Sequence, residues 1–437
     1  MTRTSTLWLP VAMMLLSCGG ISPSPTADSG ASPTDTLSQP TNEIRSALTR
    51  NLNPAVAPDD ASQLSADNLA FGLDLYTQLR GRNPGNFVFS QTSISLALAM
   101  LYGGAANNTA AQMAATLHFT LAPEQLHPAF NALDLALTTP PAGAGADAFR
   151  LIIANSTWVQ KGFPFLSSYL DLLAVNYGAG LFAEDFTSAA ESARGDINRW
   201  VSGQTENMIP ELFPPGSITA FTRLVLANAV YFHGLWREGF SPTSTNGVFH
   251  APAGDVSVPM MSNSQNNATL WGDTGWTCAS LAYNGGTTSM ILLVPDVGTF
   301  DAFEQGLTAD SLARILAPTS PTQGRLSMPR FKFATTSPLA SVLKQLGMTD
   351  AFDAALVDFS AMDGARDLAV DEVFHQAVIA VDEQGTTAAA ATGAAGTVTV
   401  VISPGQLFVA DRPFLFFIRH NPTGAILFQG RVVDPSQ

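Results

Sequence analysis

Cysteine is almost absent from this chain of 437 residues, which contains only Cys18 and Cys278. Two cysteines cannot supply the disulfide framework of a small secreted scaffold, and no cysteine cluster is present to ligate zinc. Cys278 lies in the apolar, strand-like stretch 276–283, which predicts a buried packing residue. A disulfide-stapled or cysteine-ligated metal domain is therefore excluded.

Basic residues are also scarce. The chain has 20 Lys and Arg against 35 Asp and Glu, which gives a formal net charge of −15. A nucleic-acid-binding surface needs clustered positive charge, so this balance argues against nucleic acid as a partner.

Motifs for catalysis are missing as well. The six histidines show no H-E-x-x-H pattern or paired spacing, and the chain has neither a G-x-S-x-G elbow nor a phosphate-loop lysine motif. The acidic pairs Asp59-Asp60 and Asp382-Glu383 are best explained as solvated or structural charge. We therefore expect a protein that is not an enzyme and that needs no metal or cofactor.

The first 18 residues have the pattern of an export signal. Arg3 precedes the apolar run Leu7–Leu16, and Ser17 stands before Cys18. The run is too short to span a bilayer as a helix, and a cysteine at the cleavage point supplies the thiolate for diacylglyceryl transfer. Residues 1–18 resemble a bacterial lipoprotein signal with a lipidated Cys18. The alternative is a plain secretory peptide, and both interpretations predict export, the first with a lipid anchor to the cell envelope.

A change in composition follows the signal. Residues 19–60 are rich in Ser, Pro and Thr and have little apolar periodicity, which predicts a disordered tether. Residues 61–437 form the remainder, and the chain as a whole has 46% hydrophobic and 13% charged residues, typical of a compact globular protein. The irregular alternation of strand and helix patterns predicts an α+β fold with large sheets.

Several elements can be placed from apolar periodicity. A first amphipathic helix is predicted over Ala66–Arg80, and the charge-poor segment Ser93–Gly104 predicts a buried helix. Leu151–Val159 and Arg223–Phe232 are typical of buried strands, and Phe300–Leu316 favours another helix.

The stretch Gly385–Ile402 has neither charge nor proline, although it lies between two strand-like segments. Small Ala and Thr side chains would let it enter the middle of a β-sheet, where proline would delete a ladder hydrogen bond and a charge would face the core. Its composition also fits a flexible linker, and Ala388 to Ala391 are good helix formers. The residues alone therefore leave three interpretations open: an insertable strand, a linker and a helix.

The sequence around this stretch resembles the serpin family. Five motifs occur in the family's order, and together they cover roughly residues 65 to 435. They are N-F-V-F-S-Q-T-S-I-S (86–95), T-R-L-V-L-A-N-A-V-Y-F-H-G-L-W (222–236), L-K-Q-L-G-M (343–348), V-F-H-Q-A-V-I-A-V-D-E-Q-G-T-T-A-A-A-A-T (373–392) and A-D-R-P-F-L-F-F-I-R-H-N-P-T-G (410–424).

The resemblance implies one large α+β unit with the serpin fold. It would have large, mostly antiparallel sheets, eight or nine helices and an exposed reactive-centre loop, and we expect a monomer. The segments Asn108–Leu117 and Leu121–Leu137 contain no Lys or Arg. They therefore do not resemble the basic helix that some serpins use for sulfated polysaccharides, and no heparin-like activator is expected. Gln91 stands where the family usually has proline.

The resemblance also implies residues that control opening of the central sheet. A lone histidine on a strand is usually a hydrogen-bonded core residue. For His375 this general expectation agrees with the role that the resemblance implies. It would bond Asn228 where the strands part, with Ser90 and Ser93 nearby in the region called the shutter. At the top of the opening, called the breach, the implied residues are Trp236 and the ion pair of Arg330 with Glu383.

What the resemblance implies about activity is suicide inhibition of a serine protease. The loop would be offered as substrate, the protease would be acylated, and the cleaved loop would insert into the sheet. Thr386 would be the first inward-pointing residue, and charge or proline there would stall entry. The proposed hinge consists of Glu383, Gly385, Thr386, Ala388, Ala389, Ala390, Ala391 and Thr392.

Two counts place the scissile bond differently. The fourteenth residue after the hinge glycine gives Thr399-Val400, whereas counting back eleven residues from Pro413 gives Ile402-Ser403. The hinge count is preferred because the sheet sets the insertion length, whereas the downstream arm can absorb extra residues.

The residues around the preferred bond, Val398, Thr399, Val400 and Val401, are small and β-branched. They suit the shallow apolar pocket of elastase-like or subtilisin-like proteases, and they lack the basic side chain that trypsin-like enzymes need. Three alternatives stay open: a papain-like cysteine protease as target, a non-inhibitory binding or chaperone-like serpin, and a structural lipoprotein of the cell surface.

Overall fold

The structure is a computed structural model that describes residues 42–139, 149–241, 245–263, 267–386 and 406–437. The predicted signal, Cys18, the tether up to residue 41 and most of the predicted reactive loop lie outside these ranges. The described part is an α+β unit built on two large sheets, as the sequence predicts. No helix in these ranges is long and apolar enough to span a bilayer.

The described ranges contain ten α-helices and one 3₁₀ turn (Asp350–Phe352), compared with the eight or nine helices expected. The predicted helix Phe300–Leu316 is two short helices, because the first ends at Gln305 with Gly306 as its C-cap, and Thr308 then caps the second through a reciprocal pair with Ser311. The helices are α1 (Pro58–Arg82), α2 (Gln91–Tyr102), α3 (Asn107–Thr116), α4 (Pro123–Thr138), α5 (Ser167–Tyr177), α6 (Phe186–Gln204), α7 (Phe300–Gln305), α8 (Ala309–Ile315), α9 (Ala340–Gln345) and α10 (Ser360–Asp363).

Seventeen strands lie in the same ranges. The predicted strands Leu151–Val159 and Arg223–Phe232 correspond to the long strands β3 and β5. The strands are β1 (Glu43–Ile44), β2 (Phe87–Phe89), β3 (Phe149–Gln160), β4 (Leu181–Glu184), β5 (Leu224–Leu235), β6 (Thr245–Ala251), β7 (Gly254–Ser262), β8 (Ala268–Asp273), β9 (Trp276–Ala282), β10 (Thr288–Pro295), β11 (Thr322–Pro329), β12 (Phe331–Pro338), β13 (Val370–Val381), β14 (Gly385–Thr386), β15 (Gln406–Val409), β16 (Phe414–His420) and β17 (Ile426–Val432).

The first sheet has seven strands in the order β1-β4-β3-β5-β14-β13-β12. Its centre is unusual because β13 pairs with β5 in parallel over Val370 to Val378, while the two-residue strand β14 lies between them at one end and is antiparallel to both. The seam between β5 and β13 is therefore closed along most of its length and occupied at its end by residues 385–386.

The second sheet has ten strands, with β15 joined to β11 beside the main order β2-β17-β16-β10-β9-β8-β11-β7-β6. Helix α2 packs against β3, β5 and β17, so it lies between the two sheets. Every residue of α2 from Gln91 to Leu101 is buried, as expected for a charge-poor helix. Cys278 is fully buried in β9, and burial raises the pKa of its thiol well above the usual value.

One boundary differs from the sequence prediction. Residues 42–57 were assigned to the disordered tether, but β1 pairs with β4 at the sheet edge. Arg50 forms an ion pair with Asp134 at 2.7 Å and donates to the side-chain oxygen of Asn131 at 2.8 Å. Ile44 and Val56 pack against the core, but these two isolated contacts form no regular apolar stripe, so apolar periodicity could not detect the segment.

The first helix also begins earlier than predicted, at Pro58 instead of Ala66. Proline is favoured at the first helical position, and Asp59 and Asp60 in the first turn complement the helix dipole. These polar residues provide a helix start that apolar periodicity does not register.

Candidate functional site

Three polar side chains form a row across the first sheet. Strand register places Asn155 of β3 opposite Asn228 of β5, and Asn228 opposite His375 of β13. The row therefore spans the seam between β5 and β13. Asn228 and His375 are fully buried, so their polar atoms need partners inside the protein.

Helix α2 supplies most of those partners. The backbone N–H of Ser90 donates to Nε2 of His375 at 3.2 Å, which leaves Nδ1 as the protonated nitrogen that donates to Oδ1 of Asn228. The Asn228 amide then donates to the carbonyl and hydroxyl oxygens of Ser93 at 3.0 and 2.6 Å, and to Oδ1 of Asn155. The structure thus brings together four residues singled out from the sequence, and the network fixes the neutral imidazole.

Burial has a strong effect on this histidine. Because the ring is removed from water and has no carboxylate partner, desolvation lowers the pKa of His375 to about 3. His375 is therefore uncharged at neutral pH, and it acts here as a hydrogen-bonding link between β13, β5 and α2.

The start of α2 positions these groups. Ser90 is the N-cap, and its hydroxyl accepts the backbone N–H of Ser93 at 3.2 Å. Gln91, which stands where the family usually has proline, occupies the first helical position and packs against Gly72 of α1. A Cβ at residue 72 would lie 2.9 Å from the Gln91 side chain, so the glycine makes room for it.

An aromatic pair closes the end of the seam. Trp236 stacks on Tyr283 with ring centroids 4.5 Å apart and an interplanar angle of 13°. The indole Nε1 donates to the carbonyl of Asp382 at 2.9 Å, and the backbone N–H of Trp236 donates to the carbonyl of Gln384 at 2.8 Å. Trp236 therefore fastens the turn through which the chain leaves β13.

The same turn carries an ion pair. Arg330, between β11 and β12, donates from Nε to Oε1 of Glu383 at 2.9 Å, and its Nη2 contacts the same oxygen. The Arg330 side chain is 43% exposed and that of Glu383 is 10% exposed. The pair ties the turn to the edge of the first sheet.

This ion pair can be tested by charge reversal. We expect Arg330→Glu and Glu383→Arg each to lower the free energy of unfolding, and the double exchange to recover part of the loss. The coupling should be about 0.5–1 kcal/mol, because the arginine is largely solvated. Urea denaturation of the four proteins gives the coupling directly.

The exposed pair Arg199 and Asp196, on one turn of α6, is a matched control with side chains 77% and 35% exposed. Its reversal should change stability by less. Equal coupling at both pairs, or no recovery in the double exchange, would show that the Arg330–Glu383 pair does not hold the turn.

Two hinge residues within the described ranges, Gly385 and Thr386, already occupy the seam. A Cβ on Gly385 would lie 2.1 Å from the carbonyl oxygen of Gly234, so only glycine fits there without a shift of the backbone. Thr386 is 1% exposed, and its hydroxyl lies 2.6 Å from that of Tyr283. Thr386 is therefore packed inward, against Tyr283.

The sequence did not predict which segment covers the outer face of the first sheet. Helix α6 and the segment after it lie on the outer face of the first sheet, with Phe213 packed on Phe374 of β13 at a ring-centroid distance of 4.5 Å. Asn198 of α6 accepts from the backbone N–H groups of Leu212 and Phe213 at 3.0 and 2.9 Å. Neither the contacts of Asn198 and Phe213 nor the position of Asn155 belongs to a local sequence motif, because each depends on contacts between segments that are distant in the chain.

The other predicted loop residues belong to the segment after Thr386. Residues 387–405 lie outside the described ranges. The unplaced hinge residues are Ala388, Ala389, Ala390, Ala391 and Thr392, and the unplaced candidates for the scissile bond are Thr399, Val400, Ile402 and Ser403. Their roles remain predictions. In the described part of the chain no cluster of three or more His, Cys, Asp or Glu side chains could hold a metal ion.

The seam and the residues around it define a class of protein in which a short strand lies between two parallel strands at the centre of a large sheet. The family model described as "Serpin (serine protease inhibitor)" matches residues 66–435. The human leukocyte elastase inhibitor is 38% identical over 384 residues, which are 85% of this chain and 100% of that protein. An uncharacterized serpin-like protein of Thermococcus kodakarensis is 35% identical over 84% of each chain.

Solved structures agree with the sequence relatives. Uncleaved ovalbumin superposes with a TM-score of 0.76 at 27% identity, covering 85% of this chain and 100% of that one. The chain belongs to the serpin family and has the serpin fold, as the sequence motifs indicate.

Proposed function

We propose that this serpin inhibits a serine protease by acting as a suicide substrate. The loop after Thr386 is cleaved by the protease, and the cleaved arm enters the seam between β5 and β13 while the enzyme is still covalently attached. The observation that carries the proposal is the position of Gly385 and Thr386: both pair with β5, and Thr386 also pairs with β13. Further insertion would continue a strand that has begun.

The energetics favour such an insertion. The added residues would form ladder hydrogen bonds with the two neighbouring strands in alternation, and inward side chains would be buried at about 25 cal/mol per Å2 of apolar area. Insertion must break the direct β5–β13 hydrogen bonds and the hydrogen-bond network of Asn228 with His375. It must also displace the packing of α6 on the first sheet. These contacts set the barrier, and strand addition supplies the driving force.

An elastase-like or subtilisin-like protease is the proposed target. The support is the small, mostly β-branched sequence on both sides of Thr399-Val400, which fits a shallow apolar specificity pocket. The relative from Homo sapiens bears the name leukocyte elastase inhibitor, which points the same way.

The experiment mixes the domain from residue 42 onward with pancreatic elastase and analyses the products by SDS gel and mass spectrometry. A covalent complex with release of a C-terminal peptide that starts at Val400 supports both the mechanism and the hinge count, and a peptide starting at Ser403 moves the bond. Rapid loop cleavage without a complex contradicts elastase as target. The same outcome with subtilisin and papain would favour a non-inhibitory serpin.

We also propose that the protein is exported and held at the cell envelope by lipid on Cys18. The support is the pattern of residues 1–18, which ends in a small residue before the cysteine. Expression in a bacterial host with radiolabelled palmitate should label the wild-type chain and leave Cys18→Ser unlabelled. Equal labelling of the two chains, or none, overturns the anchor.

A further inference from the structure

A cavity of about 210 Å3 opens at the end of the second sheet, away from the seam. Its walls are mostly apolar and come from three separate segments: the β6–β7 turn with Pro252, the 295–301 segment with Pro295, Val297 and Phe300, and the link from β15 to β16 with Pro413. Phe300 is only 9% exposed, whereas Val297 is 81% exposed at the mouth. Sites for drug-sized ligands measure about 300–1,000 Å3, so this smaller cavity fits a single ring.

The basic side chains that line the cavity have partners of opposite charge in the described part of the chain, whereas two of the acidic side chains do not. Arg412 donates from Nε to the carbonyl of Pro295 at 3.0 Å and from Nη1 to the carboxylate of Asp411 at 3.0 Å. His250 contacts the carboxylate of Asp255 through Nδ1 at 2.7 Å. Each basic group that lines the cavity therefore has a carboxylate partner of its own.

Two lining carboxylates remain, those of Asp296 and Asp301. Both residues are exposed, and neither carboxylate has a hydrogen bond or ion pair with another described residue. Asp301 lies in the first turn of α7, where a negative charge complements the helix dipole, but this does not account for Asp296. The mouth of the apolar cavity thus has an excess of negative charge, in a protein whose net charge is already −15.

We propose that this cavity binds a small organic cation with one apolar ring, such as an arylalkyl amine or amidine. The ring contacts the proline, valine and phenylalanine walls, and the cationic group lies between Asp296 and Asp301. The ligand bridges three segments, one of which carries β15, the strand that follows the reactive loop. Binding therefore also stabilises the folded domain, because only the folded state brings these segments together.

The probe is 2-phenylethylamine, titrated into the domain from residue 42 onward by calorimetry, with 2-phenylethanol and 3-phenylpropionate as neutral and anionic analogues. We expect saturable binding of the amine, weaker binding of the alcohol and weakest binding of the acid. The double variant Asp296→Asn/Asp301→Asn should weaken amine binding by about fivefold and leave alcohol binding unchanged. Amine binding should also raise the unfolding temperature of the wild type more than that of the double variant.

Asp310→Asn is the matched control, because it removes one exposed carboxylate from α8, outside the cavity. It should bind the amine as the wild type does. Val297→Ser separately tests the apolar wall and should weaken both the amine and the alcohol. Absence of saturable binding, preference for the anion, or equal weakening by Asp310→Asn would overturn the proposal.

Discussion

Replacing Thr386 with arginine is expected to convert this serpin from an inhibitor into a substrate of its target protease. The native side chain is 1% exposed and its hydroxyl lies 2.6 Å from that of Tyr283, inside the entrance of the seam. Arginine stays charged at any pH that proteins tolerate, and an unpaired buried charge costs several kcal/mol. We therefore expect arginine to keep residue 386 out of the seam in the native state. Since insertion cannot proceed without burying this residue, the cost then falls on the step that competes with hydrolysis of the acyl-enzyme.

A barrier raised by about 3 kcal/mol would slow insertion roughly 100-fold. The yield of SDS-stable complex should fall accordingly, and the number of serpin molecules consumed per protease inhibited should rise. The rate of loop cleavage should stay unchanged, because the substitution lies outside the cleaved segment. An unchanged cleavage rate would show that insertion has failed, whereas a lower rate would show that the protease no longer docks on the loop.

Thr386→Ser is the control, since it keeps a small side chain with a hydroxyl at the same position. It should retain inhibition close to that of the wild type. An arginine variant that forms complex as efficiently as the serine variant would contradict insertion from residue 386. The expected loss of inhibition depends on the proposed function, whereas the burial of Thr386 is observed in the structure.

The sequence predicts the centre of the site better than its surroundings. His375 and Asn228 are 147 residues apart in the chain, and only family motifs could indicate that they meet. Once β13 and β5 are paired in register, the contact follows from geometry. Asn155 belongs to the same row, but it stands in an apolar strand without a motif, and its partner depends on the register of β3.

The errors at the edges of the fold have a common physical origin. Apolar periodicity detects elements that bury a hydrophobic face, and it succeeded for α2, β3 and β5. The segment 42–57 is instead held by the pairing of β1 and by the contacts of Arg50, so its polar composition suggested disorder. Likewise, the break between α7 and α8 is set by a polar cap at Thr308, which interrupts an otherwise helical pattern.

Acidification is expected to weaken the native state through His375. The pKa of this histidine is lowered to about 3 in the folded protein by burial, against about 6.5 in an unfolded chain. Above pH 6.5 both states are neutral and the group has no effect on stability. Between pH 6.5 and 3 the unfolded state binds the proton and the native state does not, so stability falls by about 1.4 kcal/mol per pH unit.

The measurement compares wild type with His375→Gln by urea denaturation at several pH values between 8 and 4. Glutamine can accept from the Ser90 N–H and donate to Asn228, but it does not titrate. The variant should be less stable at pH 8, and its stability should fall less steeply below pH 6.5. The carboxylates and His127, whose pKa is lowered to about 4 by burial, contribute equally to both proteins. The difference between the two curves therefore isolates His375, and parallel curves would mean that this imidazole is protonated in the native state or that the network opens before unfolding.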